Sequence, residues 1–95
     1  MHNENSVKDA VKRRLKKYGA WYTMPHQAGY SARGVPDIIA CYQGRFIAIE
    51  CKFGKNKPTT LQTTQLENID RAGGIGMVIN ETNIDDVEKL LRRLL

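Results

Sequence analysis

Two acids and an amine, Asp37, Glu50 and Lys52, are spaced along this chain so that a single β-hairpin brings them together. The stretch from Gly34 to Lys52 reads GVPDIIACYQGRFIAIECK, two runs rich in Ile, Ala and aromatics around Gln43-Gly44. That dipeptide suits a tight turn, and the flanking runs suit paired strands. With Gln43-Gly44 as the loop, Tyr42 pairs with Arg45; counting back, Ile39 faces Ala48, Ile38 faces Ile49 and Asp37 faces Glu50. Directly opposed residues on an antiparallel pair have Cβ atoms ~4.5–5.5 Å apart. Like charges that close are destabilising unless a cation sits between them or one carboxylate stays protonated. Side chains alternate across a strand, so Lys52 shares the face of Glu50. Hard divalent ions such as Mg²⁺ or Mn²⁺ prefer oxygen ligands of this kind, and a neighbouring amine can hold water or stabilise a charged transition state. A base role for Lys52 requires a depressed pKa.

Taken singly, each residue has a plainer reading. An Asp after Pro is a common turn or strand-edge residue, Glu and Lys two apart are commonly a solvated sheet face, and Gln62 alone reads as a surface helix residue. Their conjunction changes the balance, because solvated faces rarely set two acids opposite each other. His26, in a polar loop, reads as a solvent or phosphate contact rather than a general base.

The rest of the chain supplies the elements that must hold this hairpin. Val7, Val11, Leu15 and Tyr18 form the stripe of an amphipathic helix ending at Gly19, with basic residues on its other faces. Residues 20–24 suit a short strand, with Trp21 and Tyr22 as packing residues, stopped by Pro25. Loops are expected at 26–34 and at 53–58, the second basic. Thr59 or Thr60 can cap a helix running to about Ala72, with Leu61, Leu66 and Ile69 inward and Gly73-Gly74 as its stop. Residues 75–80 read as a buried strand. Asn83, with Asp86 three residues on, resembles a cap for a last helix carrying Ile84, Val87, Leu90, Leu91 and Leu94. The expected order is α-β-β-β-α-β-α, an α/β sandwich around a mixed sheet.

Ninety-five residues suit one domain spanning 1–95. A chain this size buries only about two-thirds of its unfolded surface, so a second subunit would add both stability and site area. The composition, 41% apolar and 26% charged, is that of a globular protein and argues against disorder. No run of about 18 apolar residues exists to span a membrane, and the start lacks the pattern of a secretory signal. A cytoplasmic location is expected. Cys41 and Cys51 fall on opposite faces of the hairpin, so they cannot pair; both are expected as small buried apolar residues. Net charge is +5, with +7 in residues 1–60 and −2 in residues 61–95. A positive half bearing an acidic pocket suits a polyanion gripped by Lys and Arg.

These residues resemble the PD-(D/E)XK nuclease superfamily, and in particular the small virus-type replication-repair nuclease (VRR-NUC) domains of phages and bacteria. The resemblance covers nearly the whole chain. Gly34-Val35-Pro36-Asp37 and Glu50-Cys51-Lys52 match the central motif, the basic first helix precedes it, and Pro58-Thr59-Thr60-Leu61-Gln62 matches a helix start bearing a glutamine. The resemblance implies a restriction-endonuclease-like α-β-β-β-α-β core with a C-terminal helix. It implies that Asp37 and Glu50 bind Mg²⁺ or Mn²⁺, with the Cys51 backbone carbonyl completing the coordination and Glu4 reaching the site from the first helix. Lys52 would be the catalytic lysine, and Gln62 would orient water or a phosphate oxygen. The implied activity is metal-dependent hydrolysis of DNA to a 5′-phosphate and a 3′-hydroxyl. The expected substrate is branched DNA such as a Holliday junction, cut in replication, recombination or repair. Lys8, Lys12, Arg13, Lys16, Arg33, Lys55 and Lys57 are the expected DNA contacts. Two cuts on one junction suit a homodimer, for which Ile84, Leu91 and Leu94 of the last helix offer an interface. Rival readings are a nuclease subunit of a larger repair or restriction complex, and a non-catalytic basic module that only binds nucleic acid.

Overall fold

The computed structural model describes residues 1–26 and 34–95. Its elements are α1 (Glu4–Tyr18), β1 (Trp21–Thr23), β2 (Ile38–Tyr42), β3 (Arg45–Cys51), α2 (Thr60–Arg71), β4 (Ile75–Ile79) and α3 (Asp85–Leu94), the order read from the sequence. The four strands form one sheet in the order β1-β2-β3-β4. β1 and β2 run antiparallel, as do β2 and β3, while β4 lies parallel to β3. The hairpin has the expected register: Tyr42 pairs with Arg45, Ile39 with Ala48 and Ile38 with Ile49.

Alternation along β2 and β3 divides the sheet into two unlike faces. One presents Ile38, Ala40, Tyr42, Ile47, Ile49 and Cys51, all buried in the main core with Val7, Ala10, Val11 and Leu15 of α1 and Val87, Leu90 and Leu91 of α3. The first helix starts on Asn3, whose side chain accepts from the Ser6 N–H while the Ser6 hydroxyl accepts from the Asn3 N–H. It ends at Gly19, whose φ of 77° suits a residue without a side chain. Lys17 and Tyr18 reach Glu88, and Arg14 reaches Asp85, tying α1 to α3.

The other face carries Ile39, Cys41, Phe46, Ala48 and Glu50, and α2 lies over its β3–β4 side. A Cβ at Gly76 would stand 2.9 Å from the Leu66 carbonyl oxygen, so glycine lets helix and strand approach closely.

Several expectations change. Leu61 is exposed rather than inward, and Leu66 is the buried anchor of α2. Residues 75–79 form an edge strand with only Ile79 fully buried, since among the described residues no strand pairs with the outer side of β4. Asn83 does not cap α3 through its side chain. Its carboxamide oxygen instead accepts from the Asn80 N–H and its amide donates to the Val78 carbonyl, closing the turn after β4. Ile84 and Leu91 lie in the core, so α3 offers no apolar interface beyond the partly buried Leu94. Trp21 and Cys41, both expected to pack inward, are exposed, because no described helix covers the β1–β2 side of this face. Cys51 is buried as expected, its thiol pushed up to about 12 by burial and by the Asp37 and Glu50 carboxylates. Among the described residues no helix is long and apolar enough to cross a membrane.

Candidate active site

Just before β2, the chain delivers Asp37 to the mouth of the hairpin, one step beyond the Ile38–Ile49 pair. There its carboxylate continues the ladder in place of backbone, Oδ2 accepting from the Cys51 N–H at 2.8 Å. In an extended strand the carbonyl of a residue lies on the same side as its N–H, so the Cys51 carbonyl is turned toward Asp37 as well.

Glu50, next along β3, is only 2% exposed. Its Oε2 is fully engaged, with the Gln62 amide at 3.0 Å and the Lys52 ammonium at 3.4 Å. Its Oε1 is buried and meets no hydrogen-bond donor among the described residues. Burial, reinforced by neighbouring Asp37 and partly offset by Lys52, pushes the Glu50 carboxyl up from 4.5 to about 7. A buried carboxylate oxygen without a donor is costly, and a cation beside it would remove the cost.

The supports of this pair are local. Lys52 is anchored through its N–H to the Ile79 carbonyl at 2.9 Å, and the turn after it is held by Glu81, whose two carboxylate oxygens accept from the Gly54 N–H. Gln62 is fixed at both ends. Its Oε1 accepts from the Thr59 N–H at 2.9 Å while Thr59 Oγ1 accepts from the Gln62 N–H at 3.2 Å, a capping box that aims the remaining NH₂ at Glu50. Gly34 brings the lead into Asp37 against this helix start. Its φ is 74°, and a Cβ there would lie 2.8 Å from the Leu61 carbonyl oxygen.

A cleft of about 520 Å³ opens over the group, lined by Asp37, Glu50, Lys52 and Gln62, and by Glu4 and Lys8 from one face of α1. Met24, Pro25 and His26 close its rim. Met24 and Pro25 were expected only as the end of the first strand and its stop, not as part of the cleft. Lys8, expected on a DNA-facing surface, reaches into the cleft with its ammonium 3.8 Å from Asp37 Oδ1. Of the other basic residues, Lys12 pairs with Asp9 at 3.2 Å, and Arg13, Lys16, Lys55 and Lys57 are exposed. Arg33 lies outside the described residues.

No group of three or more His, Cys, Asp or Glu side chains among the described residues is gathered to hold a metal. Asp37 and Glu50 set two carboxylates at the cleft, oxygen groups of the kind that hard divalent ions accept. The orphaned Glu50 Oε1 beside Asp37 fits such an ion.

Residues 7–75 match the family described as archaeal Holliday junction resolvase (Hjc). Among solved structures, one described as a VRR_NUC domain superposes with a TM-score of 0.67 at 22% identity, covering 94% of each chain. That likeness establishes the fold, a restriction-endonuclease-like mixed sheet between helices. No curated protein matches the chain.

Proposed function

The chain belongs to the archaeal Holliday junction resolvase family of nucleases, and on that footing we propose that it is a Mg²⁺- or Mn²⁺-dependent endonuclease that nicks branched DNA in recombination or repair. The observation that carries this reading is the buried, half-satisfied Glu50 beside Asp37, with Lys52 in contact. A structural ion pair would satisfy both carboxylate oxygens; this one leaves Oε1 free.

In this reading Asp37, Glu50 and the Cys51 carbonyl would hold the ion, with Glu4 from the same cleft as a further ligand. The ion supplies charge neutralisation at phosphorus and a water of lowered pKa. Lys52, drawn to Glu50, holds the attacking water and the developing charge on the phosphoryl oxygens. Gln62 keeps Glu50 from rotating by occupying Oε2, so that Oε1 stays presented to the cleft. Lys8 and Lys12 lie four apart on α1, and Lys16 continues the same stripe away from the cleft, a track for the DNA backbone. Arg13, Arg33, Lys55 and Lys57 are further candidates for phosphate contacts.

Two opposed cuts on one junction call for two copies of this chain. We place their interface on the open part of the sheet, where Trp21 pairs with Cys41 and Cys41 with Phe46, three exposed residues in a row across β1, β2 and β3. α3 offers no such surface. Gel filtration is expected to show a dimer that Trp21→Ser together with Phe46→Ser turns into a folded monomer; a wild-type monomer at high concentration would rule the two-copy arrangement out.

The activity is tested on duplex, single-stranded, flapped and four-way-junction DNA with Mg²⁺, Mn²⁺ or EDTA. Cleavage is expected with either metal, strongest on the junction, absent in EDTA, and lowered about 10²–10³-fold or more in Asp37→Asn and Lys52→Ala, with DNA binding retained. Equal nicking by wild type and both variants would remove the catalytic reading and leave a nucleic-acid-binding module.

A further inference from the structure

We propose that Lys8 acts as a tethered cation inside the cleft, standing where a second divalent ion would sit and limiting the site to one metal ion per chain. The inference rests on the metal-site reading above and deepens it. Three acids line the cleft, Glu4, Asp37 and Glu50, and two amines face them, Lys8 and Lys52. Each amine stands against one acid. Lys52 sits 3.4 Å from Glu50 Oε2, and Lys8 sits 3.8 Å from Asp37 Oδ1. Asp37 Oδ2 already accepts from the Cys51 N–H, so Oδ1 is the oxygen with lone pairs to spare, and Lys8 reaches that one.

The position of Lys8 is set by the helix. Glu4 and Lys8 are one turn apart on α1, and their neighbours Val7 and Val11 are completely buried against the sheet. The side chain of Lys8 is 24% exposed, so its ammonium is held at the cleft rather than sweeping through solvent. Counting formal charges, three carboxylates and two ammonium groups leave the cleft at −1. One divalent ion brings it to +1, which a phosphodiester then neutralises. A second would leave +3 in a half-enclosed space, with Lys8 already beside Asp37. Without the Lys8 charge, the same acids would attract the first ion more strongly and have a place for another.

The test is a Mn²⁺ titration of the DNA-free protein by calorimetry, with free Mn²⁺ followed by electron paramagnetic resonance, so that no catalytic step is read. Wild type is expected to bind one Mn²⁺ per chain and Asp37→Asn none. Lys8→Gln should bind Mn²⁺ on the order of tenfold more tightly, because a like charge near the ion has been removed. Lys8→Glu should take up a second ion. Lys8→Arg, which keeps the charge, should retain wild-type stoichiometry and affinity within about twofold, and guards against a mere packing effect. Two ions in wild type, or unchanged affinity in Lys8→Gln, would overturn the role of Lys8 while leaving the metal site standing. No Mn²⁺ uptake by wild type would bring down the metal site and this inference with it.

Discussion

Ile49 and Glu50 are neighbours on β3 and both are nearly lost to solvent, yet they do opposite work. Ile49 points to the face packed by α1 and α3, where its surroundings are apolar and complete. Glu50 points to the face under α2, where burial raises its carboxyl to about 7 and one oxygen finds no partner. Burial stabilises the first and penalises the second, because only the second loses hydration that its neighbours do not fully replace. The two faces of one strand thus separate stability from chemistry, and a destabilising device on one is tolerated because the other is well packed.

The sharpest way to break this comparison is to truncate each residue in turn. Ile49→Ala should cost about 2–5 kcal/mol of folding stability, while metal affinity per folded chain stays unchanged; urea titration and calorimetry read the two quantities separately. A similar loss of metal affinity in that variant would show that the faces are not independent.

Next in size is the pH dependence set by Glu50. Its pKa in the folded chain lies above the unfolded value, so its contribution is fully present below about 4.5 and is lost as pH rises through about 7. The metal-free protein should therefore melt progressively lower between those limits. Glu50→Gln should flatten that decline and abolish Mn²⁺ binding, and saturating Mn²⁺ should restore wild-type stability at pH 8. A wild-type melting temperature that rises from pH 5 to pH 7 without metal would contradict the burial argument.

The smallest effect concerns how the chemical face is held. Thr59→Ala removes the cap of α2 and should cost about 1 kcal/mol. It also frees the helix start that aims Gln62 at Glu50. Junction cleavage should fall several-fold at constant temperature, with stability still sufficient for folding. Cleavage unchanged in Thr59→Ala would mean that the backbone N–H of residue 59 and Glu50 together suffice to orient Gln62.

Much of this was legible in local signals. Element order followed from apolar periodicity and from Gly19, Pro25 and Gly73-Gly74 as punctuation. The register from Tyr42–Arg45 to Ile38–Ile49 followed from a two-residue turn, because hairpin pairing is fixed by counting from the loop. The errors at Leu61, Trp21, Cys41, the β4 strand and Asn83 share one cause: each depended on which element lies above or beside it. An apolar residue at the right spacing faces a partner only if a partner is there, and whether β4 is central or an edge is decided by strand order.

Residue types and spacing alone determined that this chain makes a hairpin with two acids and a lysine on one face, because alternation and turn length act over a few residues. Tertiary structure alone decided that Glu50 is starved of a hydrogen bond, that the capped Gln62 meets Glu50, and that Lys8 enters the cleft. Those outcomes depend on burial and on distances between segments remote in sequence, which no local pattern records.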